Sequence, residues 1–410
     1  MRISQNLAAA LAKKQQPVKA IYISSYIPRK CGIAKFTKDL TTAINNLNPH
    51  ALAEIIALLD HIEYEYPWEV KFRIQQHNAH DYTAAAHYIN QSSADIVNLQ
   101  HEFGLFGGVD GDYLLPLLDS IDKPLITNFH TILPEPDEHK AYIMRRIIER
   151  SAAVIAMTES SRKTLIDVYG CPPEKVTVIY HGVPDFTFNQ IERHKKRLRI
   201  TAQPMILSAG LIGPGKGLEH IIDAMPAIVA EHPKAKLYII GQTHPHILKS
   251  EGEAYRQTLE KRAKDRGVAR NVRFVNRYIP DDEFVHYYQA ADFFITAYPN
   301  IQQAASGTLA YAVGAGKVCI STPYLYAREV LADGAGVMVE PNNSKKISEA
   351  ILNVLANPEE SLAIRKRAYH KGRQMTWPNM GLNYLELFRL ALQPLRRDHG
   401  ARFDAPAMAD

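Results

Sequence analysis

The stretch Pro204-Met-Ile-Leu-Ser-Ala-Gly-Leu-Ile-Gly-Pro-Gly-Lys-Gly217 runs from an apolar segment, through a loop of four glycines, into a helical pattern that continues to about Glu231. Pro204–Ala209 reads as a buried strand, and the glycines mark where the chain turns out of it. A strand, a glycine loop and a helix in that order form the opening unit of a parallel α/β sheet. Glycines let the backbone approach an anion closely, and the following helix start adds N–H donors and a favourable dipole. Lys216 supplies a cation. The same residues would also suit a plain glycine-rich turn with a solvent-facing lysine. Neither the spacing nor the last residue fits a P-loop, which ends in Lys-Ser or Lys-Thr.

Short apolar runs recur on both sides of this unit. Downstream are Lys236–Ile240, Val272–Phe274, Phe293–Thr296, Val318–Ser321 and Gly336–Val339. Upstream are Val18–Ser25, Ile55–Leu59, Ile96–Leu99, Leu125–Asn128, Ala153–Met157 and Val176–Ile179. Helical patterns separate most of them. Strands that are apolar almost throughout indicate parallel sheets covered on both faces. The fold class is therefore α/β, with two Rossmann-like doubly wound domains facing across a cleft. The expected boundaries are 1–188 for the first domain with an N-terminal arm, 189–203 for a polar linker, and 204–375 for the second domain. Residues 376–395 form a C-terminal helix, amphipathic over Trp377–Ala391, and 396–410 a flexible tail.

The bulk composition agrees with a globular chain. It has 410 residues, 46% hydrophobic and 22% charged, with a net charge of +5. That charge suits anionic ligands, but no nucleic-acid motif accompanies it. The three cysteines, Cys31, Cys171 and Cys319, are far apart and share no metal-binding spacing, so a reducing cytoplasm is expected. No run approaches the roughly 20 apolar residues that span a bilayer. Peripheral membrane contact and a homo-oligomer stay open.

The candidate site residues lie just after strands, where a doubly wound sheet opens its crevice. In the second half these are Gly210, Lys216 and Gly217, then Ser306, Gly307 and Thr308 at a helix start after Phe293–Thr296. Ser306 could equally be an ordinary helix cap. Gln302 and Gln303 carry both donors and acceptors, as sugar hydroxyls require. In the first half they are Gly32, Ile33, Ala34 and Lys35 after the first strand, His101 and Glu102 after Ile96–Leu99, and Asn128 and His130 after Leu125. Two histidines and one glutamate with no helical spacing do not make a metal site.

The order of these segments resembles the retaining family-four glycosyltransferases of the GT-B fold, over nearly the whole chain. Gly210-Leu-Ile-Gly-Pro-Gly-Lys-Gly217 is similar to the family's Gly-Arg-Leu-x-x-x-Lys-Gly loop. Thr158-Glu-Ser-Ser161, Val178-Ile-Tyr-His-Gly-Val183, Ala290-Ala-Asp-Phe-Phe-Ile295 and Ala315-Gly-Lys317 also match. Gly32-Ile-Ala34 stands at the family's N-terminal glycine loop, and His130 at its donor-sugar histidine. The helix around Trp377 resembles the one that returns to the first domain. The resemblance implies hexose transfer from a nucleotide sugar to a carbohydrate or other hydroxyl acceptor, with no metal or other cofactor. Lys216, Gly217 and the Ser306–Thr308 turn would hold the donor phosphate. His130, Gln303 and Glu102 would position the sugar, with Ile33, Ala34, Lys35, His101, Asn128, Gln302 and Tyr311 lining the sugar and acceptor side.

Three positions depart from the pattern. Leu211 replaces the loop arginine that grips the diphosphate. Gln303 and Tyr311 replace the paired glutamates, of which the second usually binds ribose. Two alternatives therefore stand beside the transferase: a glycoside phosphorylase or other sugar-phosphate-using relative, and a silent binding lobe of a biosynthetic complex.

Overall fold

The computed structural model describes residues 17–393, apart from residues 61, 63 and 278 and the side chain of residue 246. The tail at 396–410 and nearly all of the N-terminal arm lie outside these residues. Thirteen strands are described: β1 (Ala20–Ser24), β2 (Glu54–Leu59), β3 (Val70–Gln75), β4 (Ile96–His101), β5 (Leu125–Phe129), β6 (Ala153–Ala156), β7 (Val176–Val178), β8 (Met205–Ala209), β9 (Lys236–Ile240), β10 (Val272–Val275), β11 (Phe293–Thr296), β12 (Val318–Ser321) and β13 (Val337–Met338). They form two sheets, in the orders β3-β2-β1-β4-β5-β6-β7 and β10-β9-β8-β11-β12-β13. Every pairing within them is parallel.

Burial explains why the central strands are so apolar. All five residues of β1 and all five of β5 are buried, because helices cover both faces. β3 is the exception. Val70-Lys-Phe-Arg-Ile-Gln75 lies on a sheet edge, and of its six residues only Ile74 is buried. The 189–203 segment holds a helix, Ile191–Leu198, whose Lys195 ammonium bonds Asp292 at 2.7 Å, just ahead of β11.

The Trp377–Ala391 helix packs along the Gly32–Leu47 helix of the first lobe. Trp377, Met380, Tyr384, Leu385 and Phe388 enter one apolar cluster with Tyr22, Phe36, Ile55 and Ile155. Its entry is stitched down by backbone bonds: Val183 N–H donates to Met375 O at 2.8 Å, and Trp377 N–H to Val183 O at 2.9 Å.

Candidate active site

In each sheet the strand order reverses beside the first strand of the lobe, between β1 and β4 and between β8 and β11. Loops leaving the strand C-termini diverge at such a point and open a crevice. The two crevices face each other. Lys35 on the Gly32–Leu47 helix meets Asp281 of the second lobe at 3.1 Å, and Tyr311 Oη donates to Asp39 Oδ2 at 3.2 Å. At the other flank the Glu329 carboxylate accepts from the N–H groups of Glu159 and Ser160, at 2.8 and 3.1 Å.

On the second-lobe side the loops after β8 and β11 come together. A Cβ on Gly210 would lie 3.4 Å from Thr308 Cγ2. Gly217 has φ +64° and caps the Leu218–Glu231 helix, and a Cβ there would lie 2.0 Å from the Ala297 carbonyl oxygen. Both conditions demand glycine. Gly217→Ala is expected to lower the melting temperature, at a cost of about 1–3 kcal/mol for the strained backbone alone; an unchanged melting curve would show that the loop can shift at no cost. Lys216 Nζ stands 4.5 Å over the Tyr298 ring. A cavity of about 240 Å³ lies beside it, lined by Leu211, Gly213, Pro214, Lys216, His244 and Ile247.

Ser306 is an N-cap: its Oγ accepts from Leu309 N–H at 3.3 Å and lies 3.4 Å from Thr308 Oγ1. It begins the Gly307–Gly314 helix. Gln303 donates to Ala305 O at 2.9 Å, and Gln302 is exposed.

On the first-lobe side, Glu102 Oε2 accepts from Thr131 Oγ1 at 2.5 Å. Burial lifts its carboxyl above the usual range, against the pull of hydrogen bonds from Thr131 and the Phe103 N–H. His130 Nε2 lies 2.8 Å from Gln100 Oε1, which also accepts from Asn128 Nδ2 at 2.8 Å. With those amide orientations, Nε2 carries the hydrogen and Nδ1 presents a lone pair. Burial, then His181 and His101, push the imidazole down to about 3, so it is neutral near pH 7.

Several residues differ from the sequence expectation. His101 is 1% exposed and packs among Phe103, Phe106 and Phe129, so its ring belongs to the core and not to the sugar-facing surface. Asn128 is fully buried and holds Gln100 in place, and Ala34 is fully buried in the first turn of the Gly32–Leu47 helix. Tyr311 is nearly closed off, its ring set among His181, Phe186, Phe284 and Tyr288. Gly32 is exposed, Ile33 packs on the first core, and Lys35 is engaged with Asp39 and Asp281. Among the described residues no group of three His, Cys, Asp or Glu is placed to hold a metal ion.

The structure adds residues that sequence reasoning missed. His181 and Asp39 both enter the interlobe contact, as does Phe36, whose ring lies 5.0 Å from His130 and 5.2 Å from His181. His181 lies within a quoted motif, but nothing in the spacing placed it against Gly307.

Two family profiles account for most of the chain. Glycosyltransferase Family 4 matches residues 48–185, and Glycosyl transferases group 1 matches residues 189–371. The chain belongs to the family-four glycosyltransferases. The D-inositol 3-phosphate glycosyltransferase of Kineococcus radiotolerans is 24% identical to it, over 69% of this chain and 70% of that one. Sucrose-phosphate synthase from Thermosynechococcus elongatus superimposes with a TM-score of 0.74 at 16% identity, covering 91% of this chain and 98% of that one. HepE of Anabaena, solved with UDP and glucose, gives 0.70 at 14% identity, covering 90% and 99%. At such identities the structural matches speak for the GT-B fold alone. Within this glycosyltransferase Leu211 lines the cavity beside Lys216, Tyr311 sits at the interlobe contact with Asp39, and Gln303 folds back on the Ala305 carbonyl. No helix among the described residues is long and apolar enough to cross a membrane.

Proposed function

We propose that the chain is a retaining hexosyltransferase that takes its sugar from a nucleotide-diphosphate donor and passes it to a carbohydrate or other hydroxyl acceptor. One observation carries this reading. The Gly210–Gly217 loop and the Ser306–Thr308 turn meet at the second sheet's reversal point, and His181 sits against Gly307 there with Phe36 between it and His130. Lys216 and the amides around Gly307 and Thr308 would stabilise the charge that grows on the departing phosphate. The Nδ1 lone pair of His130 accepts a hydrogen bond from a sugar O–H, and Gln303 and Glu102 complete the positioning. The acceptor attacks from the face the phosphate leaves, and its hydroxyl proton passes to that phosphate. Protein groups supply the positive charge, so no metal ligands are called for. The three free cysteines fit work in a reducing cytoplasm.

A second reading is favoured by Tyr311. Its hydroxyl is bonded to Asp39 and is not free for a ribose, which suits a smaller anion such as phosphate or a sugar 1-phosphate. Thermal denaturation with added ligand separates the two. A nucleoside diphosphate at a hundred times its Kd should stabilise the fold by about 2.7 kcal/mol. Stabilisation by phosphate or a sugar 1-phosphate alone would give the lead to a phosphorylase. No shift with either would favour a silent binding lobe.

A further inference from the structure

His181 lies where the two lobes touch. Its Nδ1 stands 2.8 Å from the Gly182 carbonyl oxygen, which can only accept, so Nδ1 carries the hydrogen. Nε2 is then a lone pair, with no hydrogen-bond partner among the described residues. It is aimed at the first residue of the Gly307–Gly314 helix. A Cβ on Gly307 would lie 2.8 Å from Nε2 and 3.1 Å from Cε1, so any larger residue would displace the imidazole. Phe36, Trp377 and Tyr311 surround the ring at 5.2, 6.0 and 6.2 Å. The titratable groups around it are Lys35 from the Gly32–Leu47 helix, Tyr311 from the Gly307–Gly314 helix and His130 after β5, with Asp39 bonded to both Lys35 and Tyr311, and Asp281 to Lys35. Burial holds the imidazole down to about 4; the Gly182 bond opposes this shift and Lys35 adds to it. The ring is therefore neutral near pH 7 when no anion is present.

A bare lone pair is the wrong partner for an unprotonated phosphate oxygen. A phosphate seated on the Gly307 and Thr308 amides would face Nε2, and its charge would favour the imidazolium. We infer that His181 is a donor-phosphate ligand that takes up a proton from solvent as the phosphate seats. Its imidazolium then donates Nε2–H to a phosphate oxygen while Nδ1–H stays on Gly182. The proton comes from the buffer on binding and returns to it on product release, and no bond to the sugar is made or broken at this residue. The inference rests on the phosphate placement proposed above. It separates His181 from a residue that merely packs between the lobes, because a ligand gains both a proton and a charge-assisted bond to the anion, and removing it loses the proton uptake and the affinity together.

Titration calorimetry of the full chain at pH 6, in two buffers of different ionisation enthalpy, reads the protons taken up per anion bound. The probes are UDP, GDP and inorganic phosphate. Titration of the anion itself is common to wild type and variant. Wild type should take up about one proton more than His181→Asn. It should also bind about tenfold tighter at pH 6, an advantage that shrinks toward pH 8 as the imidazolium becomes harder to form. Should His181→Asn fail to fold, Gly307→Ala is the second variant: its methyl pushes the imidazole aside and should abolish the same excess. Binding with equal proton uptake in wild type and variant overturns the role of His181 and leaves the phosphate site standing. Absence of binding by all three anions to wild type overturns the phosphate placement, and this inference with it.

Discussion

Lys216→Ala lowers sugar transfer by roughly a hundredfold or more, the cost of removing one preorganised donor from a developing anion. The residue is half-buried at the mouth of the glycine loop, with its ammonium over the Tyr298 ring. Leu211 leaves it as the one cationic side chain of the Gly210–Gly217 loop, so nothing within that loop replaces it. The cation–π contact is worth only about 0.5–1 kcal/mol at such a site, so the fold should survive the change. Steady-state transfer kinetics beside a melting curve check both halves of the expectation. Transfer at the wild-type rate would remove Lys216 from the site, and a collapsed melting curve would assign it to stability instead. Lys216→Arg keeps the charge but brings a planar fork in place of a compact ammonium, and should recover only part of the rate.

Trp377→Ala destabilises the chain by about 3–5 kcal/mol, the usual cost of deleting a large buried aromatic. The indole is 9% exposed and seats directly on Gly182, where a Cβ would lie 2.2 Å from two of its ring carbons. It also lies 5.4 Å from Phe36, the ring that meets both His130 and His181. Removing it empties the joint at which the C-terminal helix, the connection around Gly182 and the Gly32–Leu47 helix converge. A lower urea midpoint measures the loss, and Trp377→Phe should restore much of it. A midpoint at the wild-type value would mean that the backbone bridge between Val183 and the start of the helix holds the joint without the indole.

Local chemistry made much of the fold legible. Strands covered on both faces must be apolar along their length, so β1, β2, β4, β5, β6, β8, β9, β11 and β12 stand out as short apolar runs. Glycine at 217 announces a positive φ and a close approach, and Ser306 announces a helix start. β3 escaped because an edge strand alternates: Lys71, Arg73 and Gln75 break the run that marks its neighbours. The loops after β8 and β11 could be found because the residues that shape each of them are close neighbours in the chain.

The cleft itself could not be read in that way. Whether a polar residue after a strand faces a ligand or the core depends on what packs over it, and that comes from distant segments. His101 and His130 look alike in the sequence, yet one is closed in by Phe103, Phe106 and Phe129 while the other hangs from Gln100 with a free nitrogen. Tyr311 meets Asp39 across 272 positions of chain, and His181 meets Gly307 only because the lobes close on each other. The sequence by itself determined two parallel sheets, their order along the chain and the glycine loop that carries Lys216, because strand burial and backbone conformation are set by residue type and near neighbours. The tertiary structure decided which histidines reach the cleft and which partner Tyr311 takes, because those depend on how two separately formed surfaces meet.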